Sequence, residues 1–450
     1  MPKREEAVKR QGRFNALWVG ALLLAARVTA PALAVAQIPS DELLPLARAD
    51  ALTGLYILED GRLVHVVNLL DQVGGRSVLS VTEYATGRAR ALYPLADSSF
   101  EAGTAWFSRD TIAFRIRFTE TARPAPALTW TEGGRVLQGR RAPLVERDVT
   151  IMNGDIRLAG TLVLPPGPGP HPALVMVSGS GPETRRIPRY VGDLLAWHGV
   201  AVLVTDKRGT GGSTGTWNGL GQATWAGDVE AQLDFLRRQP DVDTTRLGLY
   251  GNSEGGYVVP VVAARRTDVR FLVCRVCAAL PHSTVSVDIQ SGILRREGLA
   301  EAEVARAMDL LERTMRFAAE RSGYDSLVAY AAQVADRPWR NRFAPRQIPA
   351  RDAPYWDTYR EMLGADPREQ YARLRIPVLV VLGERDDRLL VARHRAAFDS
   401  LAQRGVNLTL WVIPEASHGL MLGERNSAGY PPDLHERIVR WVTAAAGVRE

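Results

Sequence analysis

A lone serine stands between close glycines in Gly251-Asn252-Ser253-Glu254-Gly255, with "RLGLY" before it and "YVVPVVAAR" after it. This is the pattern of a nucleophile on a sharp turn from strand to helix. The turn lifts the hydroxyl clear of the sheet edge, and small neighbours let strand and helix pass closely. The helix start beneath favours developing negative charge. A serine hydroxyl is a poor nucleophile until a base takes its proton. The chain has seven histidines: His65, His171, His198, His282, His394, His418 and His435. Of these, His418 follows a late apolar run into a loop of small residues, "VIPEASHGLML", which puts it on the same sheet edge as Ser253. His394 and His435 fall in helical stretches, and His435 reads as a surface residue. The base needs an acid to hold its tautomer and balance the imidazolium. "PVLVVLGERDDRLLV" supplies Asp386 on the loop after a strand, with Asp387 as its rival. An attacked carbonyl also needs donors for its oxyanion. One is the backbone N–H of Glu254, directly after the serine. The other is the N–H of Ser180 in "VSGSGPETRR", where Gly179 and Gly181 let the backbone approach closely. A plain glycine-rich turn would require none of these partners.

These residues need a sheet to bring them together. From about Val149 apolar runs alternate with longer helical stretches. Eight strand candidates appear: "VTIMN", "IRLAGTLVL", "ALVMVS", "AVLVTD", "RLGLYG", "FLVCRVCAA", "PVLVVLG" and "LTLWVIP". The inner runs are continuously apolar, as in strands buried on both faces of a parallel sheet, and strand–helix alternation implies an α/β fold. Residues 283–373 interrupt the rhythm. "EAEVARAMDLLERTMRFAAERSG" and "DSLVAYAAQVAD" carry apolar residues at helical spacing, so a mostly helical insert is placed to form a lid or substrate wall. Within it "DRPWRNRF" reads as a packed or solvated segment, with recognition of an acidic substrate group as the functional alternative. Residues 41–145 are different: short β-rich runs broken by Gly, Asp and Asn, with partial alternation as in "IAFRIRF", predict a small antiparallel sheet or barrel.

With these motifs in view, residues from about 148 to 446 resemble the α/β-hydrolase superfamily. The likeness is to its bacterial esterase-like and dienelactone-hydrolase-like branch, which overlaps serine aminopeptidase and prolyl-oligopeptidase-type catalytic domains. "GSGP" matches the family's oxyanion loop, although Ser178 stands where many members have His. "DKRGTGGSTG" matches its D-x-R-G-x-G-x-S segment, "GNSEGG" its nucleophile turn, "GERDD" its acid turn with Asp386 in the acid's place, and "ASHG" its base loop. The order serine, acid, histidine fits this fold and not chymotrypsin or subtilisin. The resemblance implies an α/β-hydrolase fold; with the runs read above, the expectation is an eight-stranded, mostly parallel sheet with a helical lid insert, preceded by a small all-β domain. The expected division is a signal peptide over 1–36, the β-rich domain over 41–145 and the catalytic domain over 147–450. It implies a serine hydrolase acting through an acyl-enzyme on Ser253, with no cofactor and no metal. The expected substrate is a small-molecule ester or short peptide. Ester hydrolysis is the first reading. An aminopeptidase is the second, and a non-catalytic binding protein on the same fold is the third. A propeller-gated peptidase is disfavoured, because a propeller needs at least four blades of about 40–50 residues and the front region is shorter and unrepeated.

Composition agrees with an enzyme of this kind. The 450 residues are 46% hydrophobic and 24% charged, ordinary for a globular protein. The net charge of +6 is uneven: residues 1–36 hold six Lys/Arg against two Glu, +4, leaving +2 for the rest. No basic stripe interleaved with aromatics marks a nucleic-acid binder. The basic start, the run "ALWVGALLLAA" and the small residues of "APALAVAQ" predict an export signal cut after Ala36. The protein is then periplasmic or secreted, with no stable membrane span after cleavage; an uncleaved anchor is the alternative. "GTGGSTG" lacks a G-x-G-x-x-G opening a helix, and no phosphate loop or HExxH motif is present. Cys274 and Cys277 fall in one apolar run. Three apart on a strand they would lie about 10 Å apart on opposite faces, beyond the ~7 Å between Cα atoms that a disulfide tolerates, so they read as small buried hydrophobes.

Overall fold

The computed structural model describes residues 43–68, 76–95, 98–106, 108–109, 111–217, 221–340, 347–423 and 428–448. The expected export signal, and part of the Arg/Trp segment of the insert, lie outside the described residues. Among the described residues no helix is long and apolar enough to cross a membrane.

A seven-residue helix, α1 (Leu46–Leu52), precedes the β-rich unit. The strands β1 (Gly54–Leu58), β2 (Leu63–Asn68), β3 (Leu79–Glu83), β4 (Arg88–Pro94), β5 (Ser99–Gly103), β6 (Ile112–Thr119), β7 (Ala127–Glu132) and β8 (Arg135–Arg141) close into an antiparallel barrel in the order β8-β1-β2-β3-β4-β5-β6-β7. Alternation in β6 shows why: Phe114, Ile116 and Phe118 are buried while Arg115 and Arg117 face solvent. This is the period-2 pattern of a strand with one face inward. Ala49 and Leu52 of α1 join the barrel core beside Tyr56, Phe100 and Trp130.

The second unit is an eight-stranded sheet. Its strands are β9 (Val145–Asn153), β10 (Ile156–Leu164), β11 (His171–Val177), β12 (Ala201–Thr205), β13 (Val242–Asn252), β14 (Val269–Arg275), β15 (Val378–Gly383) and β16 (Leu408–Ile413), in the spatial order β9-β10-β12-β11-β13-β14-β15-β16. The pairs β9/β10 and β10/β12 are antiparallel and the other five are parallel. Helices cover it, including α2 (Arg189–Trp197), α3 (Gln222–Leu236) and α4 (Val259–Arg265). Between β14 and β15 the chain is helical: α5 (His282–Arg296), α6 (Glu301–Glu320), α7 (Tyr324–Gln333), α8 (Tyr355–Leu363) and α9 (Pro367–Tyr371). They have their own core around Leu310, Leu311, Phe317 and Trp356. Helices α10 (Val391–Gln403) and α11 (Leu434–Ala445) complete the described chain.

Two expectations need correction. The apolar run "FLVCRVCAA" is not one strand. β14 stops at Arg275, and Val276 takes a left-handed φ of 48° that turns the chain. Cys277 is therefore off the strand, with its Sγ 3.4 Å from the Gly251 carbonyl, while Cys274 Sγ is 2.8 Å from Tyr371 Oη. Both thiols are free and buried. His435 is not a surface residue: it is 2% exposed, packed edge-on against Tyr84, Tyr190 and Tyr430. Burial, with Arg275 nearby, lowers its pKa to about 3. An unfolded imidazole titrates near 6.5, so below that pH the unfolded chain takes up the proton first. Stability is then lost as pH falls from about 6.5 towards 3, by up to about 1.4 kcal/mol per pH unit from this one group. The unfolding free energy from denaturant titrations at pH 7 and pH 5 is expected to fall about 2 kcal/mol less between the two pH values in His435→Leu. An equal fall in the two proteins would contradict it.

The barrel meets the sheet unit where it supports loops. Arg186, in the loop before α2, makes a bidentate pair with Asp50 of α1 at 2.7 and 2.8 Å. Asp193 of α2 bonds His65 of β2 at 2.9 Å and is gripped by Arg189. The Gly87 carbonyl of the barrel accepts from the Tyr430 N–H at 2.7 Å, twelve residues beyond His418.

Candidate active site

β13 delivers Ser253 at its carboxyl end, and the serine adopts φ 50°. A non-glycine residue rarely accepts this left-handed backbone, and it is tolerated where the surrounding structure over-determines it. A turn into a helix-capable run was expected next. The chain makes a 3-10 turn over Ser253–Tyr257, and α4 begins at Val259. The flanking glycines are steric requirements. A Cβ on Gly251 would sit 2.7 Å from Val259 Cγ2, and one on Gly255 would sit 2.8 Å from the carbonyls of Val177 and Ser178.

The partners arrive from the next loops of the sheet. His418 lies after β16, and its Nε2 is 3.0 Å from Ser253 Oγ. Its Nδ1 is 2.7 Å from Asp386 Oδ2, on the loop after β15. A carboxylate only accepts, so the neutral ring carries its proton on Nδ1 and leaves Nε2 to receive the serine hydroxyl. Asp386 Oδ1 accepts from the N–H groups of Arg388 and Leu389 at 2.8 and 2.9 Å. Burial alone would raise the Asp386 pKa. The His418 ring and the two amides outweigh it and hold the carboxyl below its ordinary range. Asp387, the rival, is exposed. The acid and base loops are stitched together by Glu384 N–H to Ile413 C=O at 2.9 Å and Arg385 N–H to Ala416 C=O at 2.8 Å.

The loop after β11 lies against the serine. A Cβ on Gly179 would be 3.4 Å from Ser253 Cβ, and Ser180 follows it, exposed. Glu254 is half-buried. Thus Ser253, His418 and Asp386 form one hydrogen-bonded relay, with Glu254 directly after the serine and Gly179, the residue before Ser180, against it.

Among the residues beside the site that sequence reading missed is Arg275. Arg275, at the end of β14, donates from Nη1 to Asn252 Oδ1 at 2.8 Å and from Nη2 to the Gly419 carbonyl at 2.5 Å. It ties the residue before the serine to the residue after the histidine. Its signal was a lone charge inside "FLVCRVCAA", a run otherwise apolar.

A left-handed serine at a strand end, with acid and histidine on later loops of a mostly parallel sheet, is the α/β-hydrolase arrangement. The chain is a member of that superfamily and a hydrolase. Within it, the chain belongs to the X-Pro dipeptidyl-peptidase (S15) family, whose family model matches residues 153–419. Among curated proteins it is similar to esterase EstD of Thermotoga maritima, 27% identical over 289 residues that cover 63% of this chain and 61% of the esterase. It is also similar to thiohydrolase aneE of Aspergillus aculeatus, 25% identical over 60% of this chain and 85% of that protein. Dipeptidyl-peptidase 5 of Porphyromonas gingivalis is 24% identical over 51% of this chain and 27% of the peptidase.

Proposed function

We propose that this protein hydrolyses carboxylic esters through an acyl-enzyme on Ser253. The observation that carries the reading is the relay from Ser253 Oγ to His418 Nε2 at 3.0 Å and from His418 Nδ1 to Asp386 at 2.7 Å. His418 takes the hydroxyl proton as Ser253 attacks the carbonyl, and Asp386 stabilises the imidazolium. The N–H groups of Ser180 and Glu254 receive the oxyanion. His418 then protonates the leaving alcohol, and water, activated by the same imidazole, releases the acid. Ester preference is supported by the two relatives that match over more of the chain, an esterase and a thiohydrolase. Export of the mature chain from about Gln37 belongs to this proposal.

Peptide hydrolysis is the second reading, favoured by the family's description and by the dipeptidyl-peptidase relative. Nitrophenyl esters of rising acyl length, assayed beside aminoacyl and Xaa-Pro nitroanilides with Ser253→Ala as blank, separate the two. Serine-dependent turnover is expected for the esters. Turnover confined to the nitroanilides would replace the ester reading with the peptidase one. Equal rates in wild type and Ser253→Ala on every substrate would contradict both.

A further inference from the structure

Gly179 is held by both of its backbone groups. Its N–H donates to Glu183 Oε2 at 2.8 Å, and its carbonyl accepts from Lys207 Nζ at 2.9 Å. The peptide that carries this carbonyl also carries the Ser180 N–H. In a planar trans peptide the two groups point in opposite directions, and among the described residues the cis bonds are Arg123-Pro124 and Gly169-Pro170, not this one. A cation fixed on the carbonyl therefore sets the direction of the N–H on the far side. Hydrogen bonds in series also polarise one another, so the same cation makes that N–H a stronger donor.

Lys207 reaches this carbonyl from a buried position. Its side chain is 4% exposed, and Nζ lies 3.5 Å from Glu254 Oε2. It also lies 3.6 Å from the centroid of the Trp225 ring. A buried ammonium persists only with compensating partners, and here these are two carboxylates, a carbonyl and an aromatic face. Burial lowers its pKa, against Glu254 and Glu183, which raise it. The loop that carries Lys207 is itself locked to the oxyanion loop: Asp206 accepts from the Arg185 N–H at 2.9 Å and the Gly212 N–H at 2.8 Å. One ammonium thus touches the peptide of one oxyanion donor and the side chain of the residue that supplies the other.

We propose that Lys207 is a positioning residue for the oxyanion hole. It holds the Gly179–Ser180 peptide by its carbonyl, with Glu183 holding the opposite side of Gly179, so that the Ser180 N–H meets the tetrahedral intermediate. This rests on the serine-hydrolase reading above.

The test compares an oxyester with its matched thionoester, C=S in place of C=O, in wild type and in Lys207→Met. Sulfur accepts hydrogen bonds weakly, so the thionoester draws little from the hole. Loss of an oxyanion donor costs about 10²–10³-fold in kcat. Lys207→Met is expected to lower oxyester kcat by about 10²-fold with KM little changed, and thionoester kcat far less. The oxyester-to-thionoester ratio should therefore fall at least ~10-fold. A residue that only stabilises the fold would slow both substrates equally and leave the ratio as in wild type; that result overturns the proposal. If Lys207→Met is insoluble, Glu183→Ala frees the other side of Gly179 and must lower the same ratio. Serine-dependent wild-type turnover with an unchanged ratio sinks this proposal alone. Wild-type turnover no greater than that of Ser253→Ala sinks the serine-hydrolase reading and this proposal together.

Discussion

Ser253→Ala is expected to lower kcat on the ester turned over by the wild type by on the order of 10⁴–10⁶-fold, with KM little changed. The hydroxyl is the only group removed, and its oxygen lies 3.0 Å from the histidine nitrogen that would receive its proton. Alanine carries the same Cβ into the same left-handed backbone, φ 50°, so the variant should fold and melt like the wild type. Its residual rate would come from binding and the oxyanion donors alone. Because serine and histidine act as a unit, adding His418→Ala to Ser253→Ala should cost little more. Steady-state kinetics of the two single variants and the double variant check this. Fully multiplicative losses would contradict a shared step.

Asp386→Asn is the second large effect, expected at roughly 10⁴-fold in kcat, about 5 kcal/mol of transition-state stabilisation. The substitution is nearly isosteric. Asparagine Oδ1 keeps the amides of Arg388 and Leu389, which now bond Asp386 at 2.8 and 2.9 Å. The side chain then presents an NH₂ donor to His418 Nδ1 where a carboxylate had accepted. The ring is held in the opposite tautomer, with its proton on Nε2, and it can no longer take one from Ser253. A loss of rate with an unchanged circular dichroism spectrum, and a melting temperature lowered only by the lost carboxylate contribution, points to the tautomer as the cause. Activity within about tenfold of wild type would remove Asp386 from the relay. The pH dependence has a definite sign. The Asp386 pKa is depressed in the folded chain. Its stabilising contribution is therefore present above about pH 4, the unfolded carboxyl range, and is lost as pH falls through the lower folded value.

The relay was legible because its members sit at the ends of apolar runs. "RLGLY", "PVLVVLG" and "LTLWVI" each announce a strand by composition, and Ser253, Asp386 and His418 lie on the turn or loop that follows each. Chain order then left few ways to assemble them. What escaped was determined across space. Arg275 and Lys207 act through carbonyls and side chains from distant loops; the lone charge of Arg275 in an apolar run marked the residue but not its partners. The end of β14 was hidden because Val276, a β-branched residue that favours strands, is held at φ 48° by the surrounding structure. His435 did leave a signal that could have been read: with Ile438, Val439 and Val442 it shares one face of α11, at i, i+3, i+4 and i+7, and all four are buried. Helix α1 was missed as a short segment ahead of a strongly β pattern; packing of Ala49 and Leu52 in the barrel core accounts for it.

The central claim is that Ser253 is the nucleophile, and the most direct test is to identify the atom that becomes modified. Wild-type protein would be treated with a fluorophosphonate, digested, and the phosphonylated peptide sequenced by mass spectrometry, with Ser253→Ala and Asp386→Asn in parallel. The account predicts one equivalent of phosphonate on Ser253, none on Ser253→Ala, and strongly slowed labelling of Asp386→Asn. Labelling at another residue, or labelling of Ser253→Ala at the wild-type rate, would contradict it.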